Sequence, residues 1–226
     1  PVLVKRGFRG DILCREATAD LCETLLRDAG HLQESDARFA NRHGFSRHKP
    51  ALPLYTVEDA EAALRQLWAI PLHQDQTVPG GARLRLLRAG HILGAASLEI
   101  EWNGVSVLFS GDLGRFNDPL MVAPEPRPDS QYLVVESTYG DRRHPQVDPQ
   151  SELNDIVSRT VRRGGTVVIP AFAVGRAQTQ LFYFERLKAA GKLANVPIFL
   201  DSPMAVNASE IFCHHRQDHK LSEPDC

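Results

Sequence analysis

Four side chains able to bind a metal or move a proton stand directly after apolar runs that read as strands. They are His91 after RLRLLRAG, Asp112 after VLFSG, Glu136 after YLVVE and Asp201 after PIFLD. The carboxyl ends of strands are where open α/β sheets gather their sites. A carboxylate placed there is costly to bury alone, so it needs a metal ion, a cation or several backbone donors as partner. The segment AGHILGAAS at 89–97 sets His91 among small apolar residues, which suits either a hydrogen-bonded core imidazole or a metal ligand. Gly90 and Gly94 favour the ligand, because glycine lets the backbone turn sharply after a strand and approach a bound group. Asp112, in FSGDLGR, either caps a turn or joins His91 from a neighbouring strand end. Zinc takes imidazole nitrogen and carboxylate oxygen at roughly 2.0–2.2 Å, and a catalytic zinc needs three or more protein ligands, so this pair is part of a set.

For these residues to meet, a sheet must position them. From residue 82 the run ARLRLLRAG alternates, and SLEIEW and VSVLFS flank Asn103-Gly104, the strongest short hairpin signal. Beyond it, QYLVVES reads as a short buried strand, QSELNDIVSRTVRRGG as a helix with a glycine stop, TVVIP as a strand, GRAQTQLFYFERLKAAG as a helix and VPIFLDSP as a strand. This alternation predicts a parallel sheet with crossover helices. The first seventy residues read mostly helical. ATADLCETLLRDAG has helical spacing and a stop at Gly30, and TVEDAEAALRQLWAI opens on Thr56 with an acidic residue three on, a capping-box variant.

Other polar residues carry two readings each. The basic loop NRHGFSRHKPALP either meets phosphate or is simply solvated. Arg176, at a helix start in FAVGRAQ, is a phosphate contact shared with the helix N-terminus or a surface arginine. His144, in ESTYGDRRH, is a substrate-side group or a surface-loop residue. His31 follows a helix and is not counted as a ligand, and His214, His215 and His219 in HHRQDHK read as a solvated helix or loop end.

A hydrophobic content of 42% over 226 residues permits a real core. The net charge of −2 and pI near 6.6 exclude a protein that holds nucleic acid by bulk charge and leave only a local basic groove. Cys14, Cys22, Cys213 and Cys226 form no CxxC pair and no framework spacing, which suggests neither a thiolate zinc site nor a disulfide scaffold and points to a reducing, cytoplasmic compartment. No apolar run spans a bilayer, and the start has no signal-peptide pattern. The opening PVLVKRGFRG and the end LSEPDC read as the limits of an internal piece of something longer.

AGHILGAASLEIEWNGVSVLFSGDLGR, then VVESTYGDRRH, IPAFAVGRAQ and FLDSPMA, resemble in order and spacing the metallo-β-lactamase-fold hydrolases of the β-CASP group. The resemblance is to the RNA-processing branch, which includes the endonuclease subunit of the mRNA 3′-end cleavage complex and its prokaryotic relatives. It implies an α/β fold: a partial metallo-β-lactamase αββα sandwich over residues 1–140, then the start of an inserted β-CASP α/β domain over 141–226. It implies two zinc ions in the full-length protein, with His91 binding one, Asp112 bridging both, and Glu136 orienting a downstream histidine that assists the leaving group. If the missing ligands are present elsewhere, Ser137 would help place the scissile phosphate, and His144 and Arg176 remain candidate substrate contacts. The family's HxHxDH motif and two later histidines are absent from this sequence, so it holds a minority of the ligands.

The function implied is zinc-dependent hydrolysis of RNA phosphodiester bonds, endonucleolytic or 5′-exonucleolytic, with single-stranded RNA as partner, no membrane and a homodimer admitted. Rival readings are a metallo-hydrolase of DNA or of a small ester, and an inactive scaffold subunit of a processing complex. Without the missing strands and ligands, the piece is expected to be inactive alone and to expose an unpaired edge and an apolar face.

Overall fold

The computed structural model describes residues 1–143, 146–193 and 195–226. Its main sheet has five strands in the order β3 (Gln76–Thr77), β4 (Arg83–Arg88), β5 (Ala96–Trp102), β6 (Val105–Phe109) and β7 (Tyr132–Val134). The β5–β6 hairpin turns at Asn103 and Gly104 as expected, with φ of 51° and 77°, because a tight two-residue hairpin requires left-handed residues at both central positions. β4 and β6 run antiparallel to β5, and β7 runs parallel to β6. The strands β4, β6 and β7 therefore share one direction, and their carboxyl ends lie along one edge of the sheet.

The fold is mixed α/β, as expected, but the crossover-linked parallel sheet is not what forms. Only β6 and β7 pair in parallel within the main sheet. The TVVIP run and the VPIFLDS part of the second run belong to no strand among the described residues. Val168 and Phe199 expose 84% and 85% of their surface. A β-rich run becomes a strand only where a neighbour takes up its N–H and C=O groups. Asp201 accordingly follows no strand and is exposed. QYLVVES does contain β7, yet that strand is an exposed edge rather than a buried one, with Leu133 60% exposed.

Helices α1 (Val2–Lys5), α2 (Glu16–His43) and α3 (Val57–Leu64) come first, with α3 followed by β2 (Leu67–Ala69), which pairs in parallel with β1 (Ile12–Cys14). The expected capping box at Thr56 is present: Thr56 Oγ1 accepts from the Asp59 N–H, and the Thr56 N–H donates to Asp59 Oδ2 at 2.9 Å. The expected stop at Gly30 is not. α2 continues to Gly44, whose left-handed C-cap closes it. Gly30 is instead where α3 begins to pack: a Cβ there would lie 3.0 Å from the Val57 N. A mid-helix glycine looks like a terminator in sequence but serves here as close contact. The QLWAI segment, read as the end of α3, supplies β2.

α4 (Pro149–Arg162) and α5 (Arg176–Ala189) pack together around Val157, Phe184, Leu187 and Leu193. Both helices match the sequence reading. α6 (Pro203–His214) packs on α2, and one core joins Ala17, Leu21, Leu93, Leu120, Met121, Ala208 and Phe212. No helix among the described residues is long and apolar enough to cross a membrane. Cys213 and Cys226 are joined by a disulfide, which their spacing did not announce, while Cys14 and Cys22 are free thiols.

The HHRQDHK segment departs furthest from its solvated reading. His214 is exposed, but His215, Asp218 and His219 are buried. Both carboxylate oxygens of Asp218 accept from Arg15 Nη2, at 3.0 and 3.1 Å, and each side chain is 4% exposed. His215 Nε2 lies 2.7 Å from Asp20 Oδ2, and His219 stacks on Phe212 at 4.6 Å. The Asp218 carbonyl also accepts from the Val122 N–H at 3.0 Å. Charged residues go inside when a partner with matching geometry waits there, and one 203 positions away leaves no local trace in sequence.

Two outcomes follow from this buried cluster. Asp218→Ala leaves the Arg15 guanidinium buried without its carboxylate and lowers unfolding free energy by roughly 3–5 kcal/mol, read as a fall in urea midpoint. Burial pushes the His219 imidazole below its ordinary value, so the unfolded chain binds this proton more readily than the folded one. The stability this provides is complete above about pH 6.5 and declines as pH falls below it. Denaturation at pH 7.5 and 5.5 should show a smaller drop for His219→Gln than for the native chain.

Candidate functional site

His91, Asp112 and Glu136 lie three, three and two residues past the ends of β4, β6 and β7 respectively. The shared direction of those strands brings all three to one edge. Backbone contacts then tie each loop to the next. Gly90 and Gly94 have φ of 65° and 76°, and a Cβ on either would lie 2.6 Å from its nearest neighbour, Val122 O for Gly90 and Thr18 Oγ1 for Gly94. Thr18 Oγ1 donates to Gly94 O at 3.0 Å, which fastens the start of α2 to the His91 loop.

The tightest approach is at Gly114. Its N–H donates to Ala89 O at 2.9 Å, and a Cβ on it would fall 1.7 Å from Gly90 O and 2.7 Å from His91 N. The loop of Asp112 thus lies flat on the His91 peptide. Its other side is held to β7 by Ser110, whose N–H donates to Val134 O at 2.9 Å and whose Oγ accepts from the Glu136 N–H at 3.0 Å. Buried Ser97 donates to Ser110 O at 2.5 Å.

Glu136 Oε1 accepts from the Leu113 N–H at 2.9 Å, and Oε2 from the Thr138 N–H at 3.2 Å. The Leu113 amide first, then the Thr138 hydrogen bonds, hold its carboxyl below the usual carboxylate range, and nearby His91 adds to the effect. Glu136 is therefore an ionised acceptor anchored on the Asp112 loop.

His91 Nε2 lies 4.0 Å from Asp112 Oδ2, and the two side chains are 43% and 74% exposed. Two ligands of one tetrahedral ion with bonds near 2.1 Å sit about 3.4 Å apart, so a small rotation of these exposed heads would seat both on one zinc. They fit as a ligand pair. They do not make a closed site: among the described residues no group of three or more His, Cys, Asp or Glu side chains could hold a metal. Beside them opens a cavity of about 400 Å³, walled by Cys14, Thr18, Leu21, Cys22 and Leu86.

Of the other residues singled out in sequence, Ser137 is exposed just past Glu136, and its carbonyl accepts from the Gly140 N–H at 3.1 Å. Arg176 opens α5, exposed, with its guanidinium 5.5 Å from the Phe172 ring centroid. A Cβ on Gly175 would touch Ile92 Cγ2 at 3.0 Å, so the start of α5 abuts the His91 loop. His144 lies outside the described residues. His31 is exposed in the middle of α2. Sequence reading passed over Gly114, Ser110, Ser97 and Thr18, which carry no metal-binding chemistry. The second glycine of GDLGR was the one signal available.

No family model matches the chain. It is 33% identical to the endoribonuclease ysh1 of Schizosaccharomyces pombe over 93% of its own length and 26% of that protein. It is 33% identical to ribonuclease TTHA0252 of Thermus thermophilus over 91% of its length and 43% of that protein. With the cleavage and polyadenylation specificity factor 73 of Drosophila melanogaster the identity is 35%, over 93% and 29% of the two chains. The chain thus spans less than half the length of each of these relatives.

A methyl group at position 114 would force the two loops apart. Gly114→Ala should cost about 3 kcal/mol, at the upper end of overpacking, whereas Gly140→Ala, whose methyl meets Ser137 at an ordinary 3.4 Å, should stay within about 0.5 kcal/mol. Parallel urea titrations of the two variants check the contrast.

Proposed function

The chain belongs to the β-CASP group of metallo-β-lactamase-fold RNA-processing hydrolases, and from that premise we propose that it is part of a zinc-dependent ribonuclease acting on single-stranded RNA. The observation that carries this reading is the meeting of His91, Asp112 and Glu136 at one sheet edge, with the His91 and Asp112 heads 4.0 Å apart. In this reading residues 1–140 belong to the metallo-β-lactamase unit and 141–226 begin the β-CASP unit.

His91 and Asp112 would be among the residues that hold the metal, each with an exposed head at the sheet edge. Bound divalent zinc supplies Lewis acidity at phosphorus and a water that is nucleophilic near neutral pH. Glu136 is a positioning residue: fixed by the Leu113 and Thr138 amides, it keeps the Asp112 loop in register and holds a negative charge beside His91. The downstream histidine implied by the family would take its orientation from this carboxylate and pass a proton to the leaving oxygen. Ser137, His144 and Arg176 are assigned to the scissile phosphate, Arg176 by virtue of the contact between the α5 start and the His91 loop. Endonucleolytic cleavage is favoured by the likeness to the endoribonucleases of Mycosarcoma maydis and Schizosaccharomyces pombe.

The test is cleavage of end-labelled single-stranded RNA and of matched DNA by the intact protein. RNA cleavage should vanish with chelator, return with zinc, and fall roughly a thousandfold in kcat for Asp112→Ala, a loss of several kcal/mol of transition-state stabilisation. Cleavage of DNA alone would reassign the substrate. No cleavage of either by folded, zinc-loaded protein would leave the small-ester hydrolase or the scaffold reading.

A further inference from the structure

Between Asp36 and Glu58 the chain carries no acidic residue, but it carries Arg38, Arg42, Arg47, Lys49, His43 and His48. In a protein of net charge −2 such a one-sign stretch is a local field, not a bulk property. Arg38 is paired with Glu34 at 3.7 Å. Arg42, Arg47 and Lys49 have no carboxylate partner among the described residues, and all are exposed.

Aromatic rings are set among these cations. Phe39 and Phe45 expose 55% and 66% of their surface. Phe39 lies 4.0 Å from the His43 ring and 5.9 Å from the Phe45 ring, centroid to centroid. The segment is also built rather than loose. Gly44 closes α2 in the left-handed conformation. Asn41 grips Ala51 with both ends of its amide, donating to Ala51 O at 2.9 Å and accepting from the Ala51 N–H at 2.7 Å. Gln33 accepts from the Leu54 N–H at 3.1 Å.

Exposed flat rings interleaved with unpaired cations on a fixed backbone are the physical requirements for holding single-stranded nucleic acid: stacking for the bases, charge for the phosphates. We propose that the end of α2 and the loop 44–54 form an RNA-binding platform separate from the cleavage edge. The proposal rests on the ribonuclease reading and adds a second contact for the same strand. α2 connects the two places. Thr18 touches the His91 loop, and Phe39 lies twenty-one residues further along the helix, about 30 Å at 1.5 Å per residue. A strand stacked at about 3.4 Å per nucleotide needs roughly nine nucleotides to bridge that distance. The platform thus selects for long substrates.

The experiment compares the intact zinc-loaded protein with Arg42→Ala/Arg47→Ala/Lys49→Ala and with Phe45→Ala. Substrates are unstructured RNAs of 6 and 24 nucleotides. For the 24-mer, both variants should raise KM about tenfold with kcat unchanged. Anisotropy titrations of the labelled 24-mer in an Asp112→Ala background should show the triple variant losing about 2 from the slope of log affinity against log salt, at about 0.7 per phosphate contact. Phe45→Ala should leave that slope intact, because stacking releases no counterions. For the 6-mer, kinetics should not change. Unchanged 24-mer binding in both variants would overturn the platform while wild-type cleavage keeps the ribonuclease reading, and would point the surface toward a protein partner. Equal losses on both RNAs would also overturn it, by placing the effect at the cleavage edge. Failure of the wild type to bind or cleave any RNA would overturn the ribonuclease reading itself.

Discussion

The Gly114 backbone lies against the Gly90–His91 peptide with no room for a side chain at position 114. Everything chemical in this structure depends on that contact. Two side chains from different loops that are to act on one group need their atoms placed to within about half an ångström, and loops by themselves do not hold such tolerances. Here the Gly114 N–H donates to Ala89 O on one side, and Ser110 and Glu136 stitch the same loop to β7 on the other. The Asp112 carboxylate can stay exposed, with only His91 near it at 4.0 Å, because its backbone is over-determined. Rigidity is supplied by peptide groups, leaving the side chains free for ligands.

Behind this edge, Asp218 acts as a buttress. It takes the Arg15 guanidinium at the start of α2, stands 4.0 Å from Arg88 Nε at the end of β4, and pairs its carbonyl with Val122. Gly90 packs on the same strip, against Val122 O and Pro124 N. One buried aspartate thus ties together the start of α2 and the end of β4 through its carboxylate and the Val122 segment through its carbonyl. The ion pair contributes less net stability than an apolar contact of equal size would, but its geometry fixes register where apolar packing alone tolerates sliding.

What was legible in the sequence divides along physical lines. The Asn103-Gly104 turn, the Thr56 capping box and helices α4 and α5 were readable because short-range rules decide them. His91, Asp112 and Glu136 stood out because a charge after an apolar run is costly without a partner. Long-range geometry was not readable. Gly30 looks like a helix stop, and only the α3 backbone beside it explains its presence. The TVVIP and VPIFLDSP runs have strand composition, but a ladder needs a neighbour that composition does not supply. His215 and Asp218 look like solvent-facing residues until Asp20 and Arg15 arrive from the other end of the chain, and His219 until α6 folds Phe212 onto it.

The antiparallel β5 strand has a practical consequence. It carries the chain away from the His91 loop for seven residues, about 23 Å of strand, before the turn at Asn103 and Gly104 brings it back toward Asp112. The hairpin tip therefore sits at the far end of the sheet from the His91 edge, and beyond its chain neighbours no heavy atom of the described residues lies within 4 Å of where a Gly104 Cβ would be. This tip is a natural attachment point: a fluorophore or short epitope grafted there would report on the molecule from a fixed distance without crowding His91 and Asp112.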